Sequence, residues 1–112
     1  MYPADVSQDR PLDVFMAHMD VVFSDETELP LRVEDGRIYC PGVGDDTACL
    51  VCLLLAGKYI ARHVDSPSWR EIRGEDAPGL LLVCNAGEEG LGNLKGVRKI
   101  CEDYGGRIKS FC

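Results

Sequence analysis

The chain has 112 residues, 46% of them hydrophobic, and a formal net charge of −7. That is enough for one small domain with a packed core, and too apolar for a disordered segment. The acidic balance, with a pI near 4.7, argues against nucleic acid and anionic membrane as partners, and no apolar run approaches the ~20 residues of a membrane span.

Residues 1–10 are polar and read as a frayed or cut end. Leu12 to Ala17, L-D-V-F-M-A, is expected to be a buried strand. His18 to Pro30 is an acidic loop. Leu31 to Val33 and Arg37 to Tyr39 flank Glu34-Asp35-Gly36, a hairpin signal with Asp-Gly at the turn. Cys40 to Gly44 is a Pro/Gly loop, and Asp46 to about His63 is a helix. That helix is apolar on nearly all sides and is expected to be buried. Gly57 interrupts it at ~1 kcal/mol relative to alanine, which points to a close approach there. Val64 to Pro78 reads as a surface connection, and Leu80 to Asn85 as a second buried strand. Gly92 to Tyr104 is an amphipathic helix ended by Gly105-Gly106, and Arg107 to Cys112 begins another strand.

Apolar strands alternating with helices predict an α/β fold with three αβα layers and a mostly parallel sheet. The six cysteines, Cys40, Cys49, Cys52, Cys84, Cys101 and Cys112, lie mostly within apolar patterns. No secretory signal precedes the first strand. They read as reduced thiols in or near the core of a cytoplasmic protein. Cys49-x-x-Cys52 has no second pair and reads as two buried small hydrophobes rather than a redox or zinc motif.

In parallel sheets ligands bind beyond the carboxyl ends of the strands. Three segments deliver chemistry to that edge. His18 and Asp20 follow the first strand, Glu88 and Glu89 follow the strand 80–85, and Asp45 and Asp46 stand before the long helix. His18 and Asp20, two residues apart, would share a face at roughly 6–7 Å if the strand persists. A neutral imidazole is a good zinc ligand, and a neighbouring carboxylate can fix its tautomer. Asp45, in G-V-G-D-D-T, has two oxygens and could bridge two cations. Glu88 and Glu89, in A-G-E-E-G, point different ways, so one can bind metal while the other faces a water. Each piece alone has an ordinary explanation: a structural His-x-Asp, a helix N-cap, a solvated turn. The combination carries the reading.

Three stretches, H-M-D-V-V, then G-R-I-Y-C-P-G-V-G-D-D-T-A before an apolar helix, then L-L-V-C-N-A-G-E-E-G-L-G-N, resemble the M20 family of metallopeptidases. The resemblance covers about residues 12–112. It implies the catalytic-domain fold of a zinc-dependent exopeptidase. The implied activity is metal-dependent hydrolysis of an amide bond in small peptides or N-acyl amino acids. It implies that His18 binds one zinc, Asp45 bridges two, and Glu89 binds the other. It implies that Glu88 is the general base and acid, and that Asp20 orients His18. Cobalt or manganese would suit the same nitrogen and oxygen ligands. Asp46 falls at a variable position and is expected to cap the helix, with a cis peptide at Asp45–Asp46.

The resemblance also implies parts with no counterpart here: a leading helix, a further acidic ligand, a second histidine and a dimerisation domain. His63, at a helix end, is expected to meet the helix dipole instead. Residues 1–112 are therefore expected to be a partial catalytic domain, with homodimerisation a property of the longer parent. The alternative is a non-catalytic remnant that keeps the fold and at most weak cation binding. A magnesium-binding receiver-like domain would share the sheet but gives no reason for His18 or the glycine-bracketed Glu pair.

Overall fold

The computed structural model describes residues 9–74 and 76–112. The polar stretch expected to fray therefore lies, for residues 1–8, outside the described residues. Strands β1 (Leu12–His18), β4 (Gly79–Asn85) and β5 (Ile108–Phe111) form a parallel sheet in the order β4-β1-β5. β1 and β4 run in continuous register from Leu12↔Gly79 to His18↔Asn85. A separate antiparallel hairpin pairs β2 (Arg32–Glu34) with β3 (Arg37–Tyr39). Its turn residues Asp35 and Gly36 have φ of 50° and 72°, the left-handed pair that a tight Asp-Gly hairpin turn requires.

Alternation along the strands splits the apolar residues between two faces. Leu12, Val14 and Leu81 form the buried core, with Val83, Ile100, Tyr104 and Ile108 packed against it. Ile100 and Tyr104 belong to α3 (Lys95–Tyr104), so α3 covers this face. Phe15, Ala17, Leu80 and Leu82 line the other face with residues of α1 (Ala48–His63). Helices thus flank both faces of the parallel sheet, as the alternating pattern predicts. α1 lies close to it: a Cβ at Gly57 would stand 3.1 Å from Leu82 Cδ1, the close approach that the glycine's position implied.

Several expectations are corrected. α1 begins at Ala48, not Asp46, because Asp45 and Asp46 have non-helical backbone angles. It is not buried all round: Val51, Leu54, Leu55 and Tyr59 are 48–61% exposed. One face rests on the sheet and the described residues do not cover the other. The six cysteines are free but not core thiols; Cys40 is half-buried and the rest, Cys49 and Cys52 included, are exposed. Cys49, Cys52 and Cys112 line an open cleft between α1 and the sheet. The Val64–Pro78 connection contains a helix, α2 (Pro67–Arg73). Ser66 Oγ accepts the Trp69 N–H at 3.2 Å, and Pro67 opens the first turn, the capping serine and first-turn proline that favour a helix start.

Helix α3 also starts later than Gly92. Gly90–Gly92 form a single 3-10 turn, and Asn93 and Leu94 take left-handed angles before Lys95. At the far end of α1, His63 Nδ1 lies 2.7 Å from the Tyr59 carbonyl, and its ring stacks on Tyr59. No single helix among the described residues is long and apolar enough to cross a membrane; the 43–63 segment and α2 reach that composition only as a pair bent by 118°.

Candidate metal centre

His18 is the last residue of β1 and is 9% exposed. Its register partner is Asn85, the last residue of β4, so the loops after both strands leave from the same sheet edge. The glycine-rich turn before α1 is tied to that edge. Gly42, at φ 78°, leaves room for Val21, whose Cγ1 would be 2.9 Å from a Cβ there. The bond between Asp45 and Asp46 is cis, as expected.

Asp45 reaches the imidazole directly: His18 Nε2 lies 3.1 Å from Asp45 Oδ1. Glu88 Oε2 is 3.7 Å from the same nitrogen. His18 Nδ1 stands 2.9 Å from the backbone carbonyl of Asp20. With Nδ1–H donated to that carbonyl, Nε2 is the nitrogen that can offer a lone pair.

Asp20 therefore meets His18 chiefly through its carbonyl oxygen rather than its carboxylate, which is 3.7 Å from Nδ1. The carboxylate has another partner. Asp20 Oδ2 accepts the Glu89 N–H at 3.0 Å, joining the loop after β1 to the loop after β4. Asp46 does not cap α1, which has no side-chain cap. Its Oδ2 accepts the His18 N–H at 3.1 Å. The sequence reading missed this partner, because the residue order does not show the non-helical backbone at Asp45 and Asp46 that turns Asp46 away from α1.

The loop that carries the Glu pair is closed by a tight glycine contact. A Cβ on Gly92 would fall 2.5 Å from the Gly87 backbone, so only glycine fits there. The Lys95 N–H donates to the Gly87 carbonyl at 3.0 Å and closes the loop onto α3.

Electrostatics follow from these contacts. Burial disfavours the His18 imidazolium, but the Asp20 carbonyl, Asp45, Glu88 and Asp46 together outweigh it and raise the pKa above 6.5. The Asp20 pKa is lowered mainly by the Glu89 N–H; burial opposes, and the N–H groups of Asp20, Glu88 and Gly87 assist. Asp46 raises the Cys49 thiol by hydrogen bonding and charge.

A sequence model of Peptidase family M20/M25/M40 matches residues 14–111. The chain belongs to this peptidase family. No curated protein and no solved structure matches it.

Peptidases of family M20 are generally metal-dependent, and the geometry can be tested for fit. His18, Asp45 and Glu89 each offer one ligand atom, and these atoms all lie within 4.8 Å of one another. One imidazole nitrogen and two carboxylate oxygens suit zinc and other first-row divalent ions alike. The imidazole is presented by a hydrogen bond on its far nitrogen, as metal-binding histidines commonly are. The residues present fit a divalent cation.

Proposed function

We propose that this chain carries the cation-binding and proton-transferring groups of a metal-assisted amide hydrolase. The substrates would be small peptides or N-acyl amino acids. The observation that carries the reading is the convergence of His18, Asp45 and Glu89 within 4.8 Å, with the Glu88 carboxylate 3.7 Å from His18 Nε2.

His18, Asp45 and Glu89 would hold the metal, with zinc the first choice and cobalt or manganese suited to the same donors. Asp45 has a second oxygen with which to share a second ion. A divalent cation in this position polarises an amide carbonyl and makes water easier to deprotonate. Glu88 takes the proton of the attacking water and returns it to the leaving amine nitrogen. The Asp20 carbonyl fixes the imidazole tautomer, while its carboxylate holds the Glu89 backbone in place. Asp46 holds the His18 backbone. The ligand set implied by the family resemblance is larger than this cluster, so we read the chain as part of a catalytic domain.

Glu88→Gln is the test. It is expected to lower hydrolysis of a dipeptide or N-acetyl amino acid by roughly 10²–10⁴-fold while leaving metal affinity unchanged. Loss of the metal in that variant would make Glu88 a ligand and overturn its assignment. A second reading, cation binding without turnover, is favoured by one observation: the Asp45 side chain is 81% exposed. Metal binding with no hydrolysis by the unmodified chain would select it.

A further inference from the structure

A small cavity of about 180 Å³ lies against His18, Asp46 and Glu88. A larger cleft of about 450 Å³ opens between α1 and the sheet. The two share walls, for Met16, Ala17 and Cys112 line both. They also adjoin at the start of α1, where Cys49 of the cleft interacts with Asp46 of the cavity.

The cleft has a direction. Along α1 its lining runs from Ala48, the first residue of the helix, to Ile60, about 18 Å at 1.5 Å per residue. Along the sheet it runs from Ala17, next to His18 at the carboxyl end of β1, to Leu80 at the amino end of β4. One end therefore lies beside the segments that carry His18 and Asp45, and the other at the far edge of the sheet. Its lining side chains are all aliphatic, aromatic or sulfur-bearing, with no charged, hydroxyl or amide group among them. Phe15 is 40% exposed there. A peptide continuing into such a slot would find no partners for its N–H and C=O groups, whereas a hydrocarbon chain needs none and gains by leaving water.

We propose that this cleft is an acyl-chain subsite, so that the amide placed at Glu88 is that of an N-acyl amino acid with a medium or long unbranched tail lying along α1. This inference rests on the reading of the site as an amide hydrolase, and it selects among that reading's substrates. Short peptides and N-acetyl amino acids would leave the cleft empty and bind weakly.

The test uses the metal-free, ¹⁵N-labelled 112-residue chain, so it reads binding independently of metal and of turnover. Two neutral probes differ only in their tails: N-decanoylglycinamide, kept below the concentration at which it self-associates, and N-acetylglycinamide. The decanoyl probe is expected to bind at least about a hundredfold more tightly, since each fully buried methylene is worth up to about fourfold. It is expected to shift the backbone resonances of Ala17, Cys52 and Ala56 along the cleft, and those of His18 and Glu88 at its head. It is also expected to slow alkylation of Cys49, Cys52 and Cys112, which line the cleft, but not of the exposed Cys101 on α3. Ala56→Trp, which fills the cleft midway, is expected to weaken the decanoyl probe roughly tenfold or more and to leave the acetyl probe unchanged. The alkylation pattern needs no substitution, so it decides the matter even if that variant fails to fold. Equal affinity for the two probes, equal protection of Cys101, or shifts in the cleft without shifts at His18 and Glu88 would overturn the proposal. A chain that binds the decanoyl probe in this way but cleaves no amide when zinc is supplied would sink the hydrolase reading instead, so the two failures are distinguishable.

Discussion

The chain contains two adjacent acidic pairs at one sheet edge, Asp45-Asp46 and Glu88-Glu89, each among glycines. In each pair one carboxylate joins the cluster with His18. The partners diverge. Asp46 is tied to the His18 N–H at 3.1 Å, whereas Glu88 is 39% exposed and stands near the imidazole edge. The difference lies in the backbone that presents each pair. The turn before α1 brings Asp46 beside the end of β1, whose N–H needs an acceptor. In the loop closed by the Gly87–Gly92 contact, Glu88 lines the cavity and the Glu89 N–H donates to Asp20 Oδ2. Adjacent carboxylates with the same chemistry thus receive a structural task in one loop and a free one in the other.

The largest expected effect tests the free member. Glu88→Gln is expected to lower hydrolysis roughly 10²–10⁴-fold, the usual worth of a positioned acid–base group, in a steady-state peptidase assay. Asp46→Ala should instead act through the backbone. It strands the His18 N–H, and thermal or urea unfolding is expected to show a loss of about 1–3 kcal/mol. Asp46→Asn keeps an acceptor and should recover most of it. Equal loss of activity with no loss of stability in Asp46→Ala would erase the distinction between the pairs.

A smaller effect is a pH dependence in the metal-free chain. The folded His18 pKa is raised above 6.5, so the folded state holds its proton longer than the unfolded chain. The stability this contributes is full below pH 6.5 and falls as pH rises through the folded value. Urea midpoints measured from pH 6 upward are expected to show the decline, and His18→Gln to flatten it. Asp20 has the opposite sign. Its pKa is lowered from 3.8, so its contribution is present above that value and is lost as pH falls through the folded pKa. Asp20→Asn is expected to remove that part of the acid sensitivity.

Much of this arrangement was legible in the sequence. The apolar runs at 12–17 and 80–85 marked the paired strands, and Asp35-Gly36 marked the hairpin turn. The placement of His18 and Asp20, Asp45 and Asp46, and Glu88 and Glu89 at element ends foretold that three segments meet at one edge, while the family resemblance pointed to His18, Asp45 and Glu89 as the members that converge. What was not legible depended on partners distant in sequence. The apolar pattern of α1 shows a helix with surface to bury, but not that Leu54 and Leu55 are uncovered. Asp46 resembles a helix cap until the non-helical angles at 45–46 place it against β1. Asp20 resembles a carboxylate partner for His18 until the loop geometry offers its carbonyl instead. Asn85 is simply the last residue of a strand until its amide is seen buried against α3 with neither end hydrogen-bonded.

The central claim is that His18, Asp45 and Glu89 together hold a divalent cation. Calorimetric titration of Zn²⁺ into the metal-free 112-residue chain, with His18→Ala in parallel, tests it most directly. The account predicts saturable binding to the unmodified chain that weakens at least about tenfold in His18→Ala. Equal binding in both chains, or none in either, would contradict it.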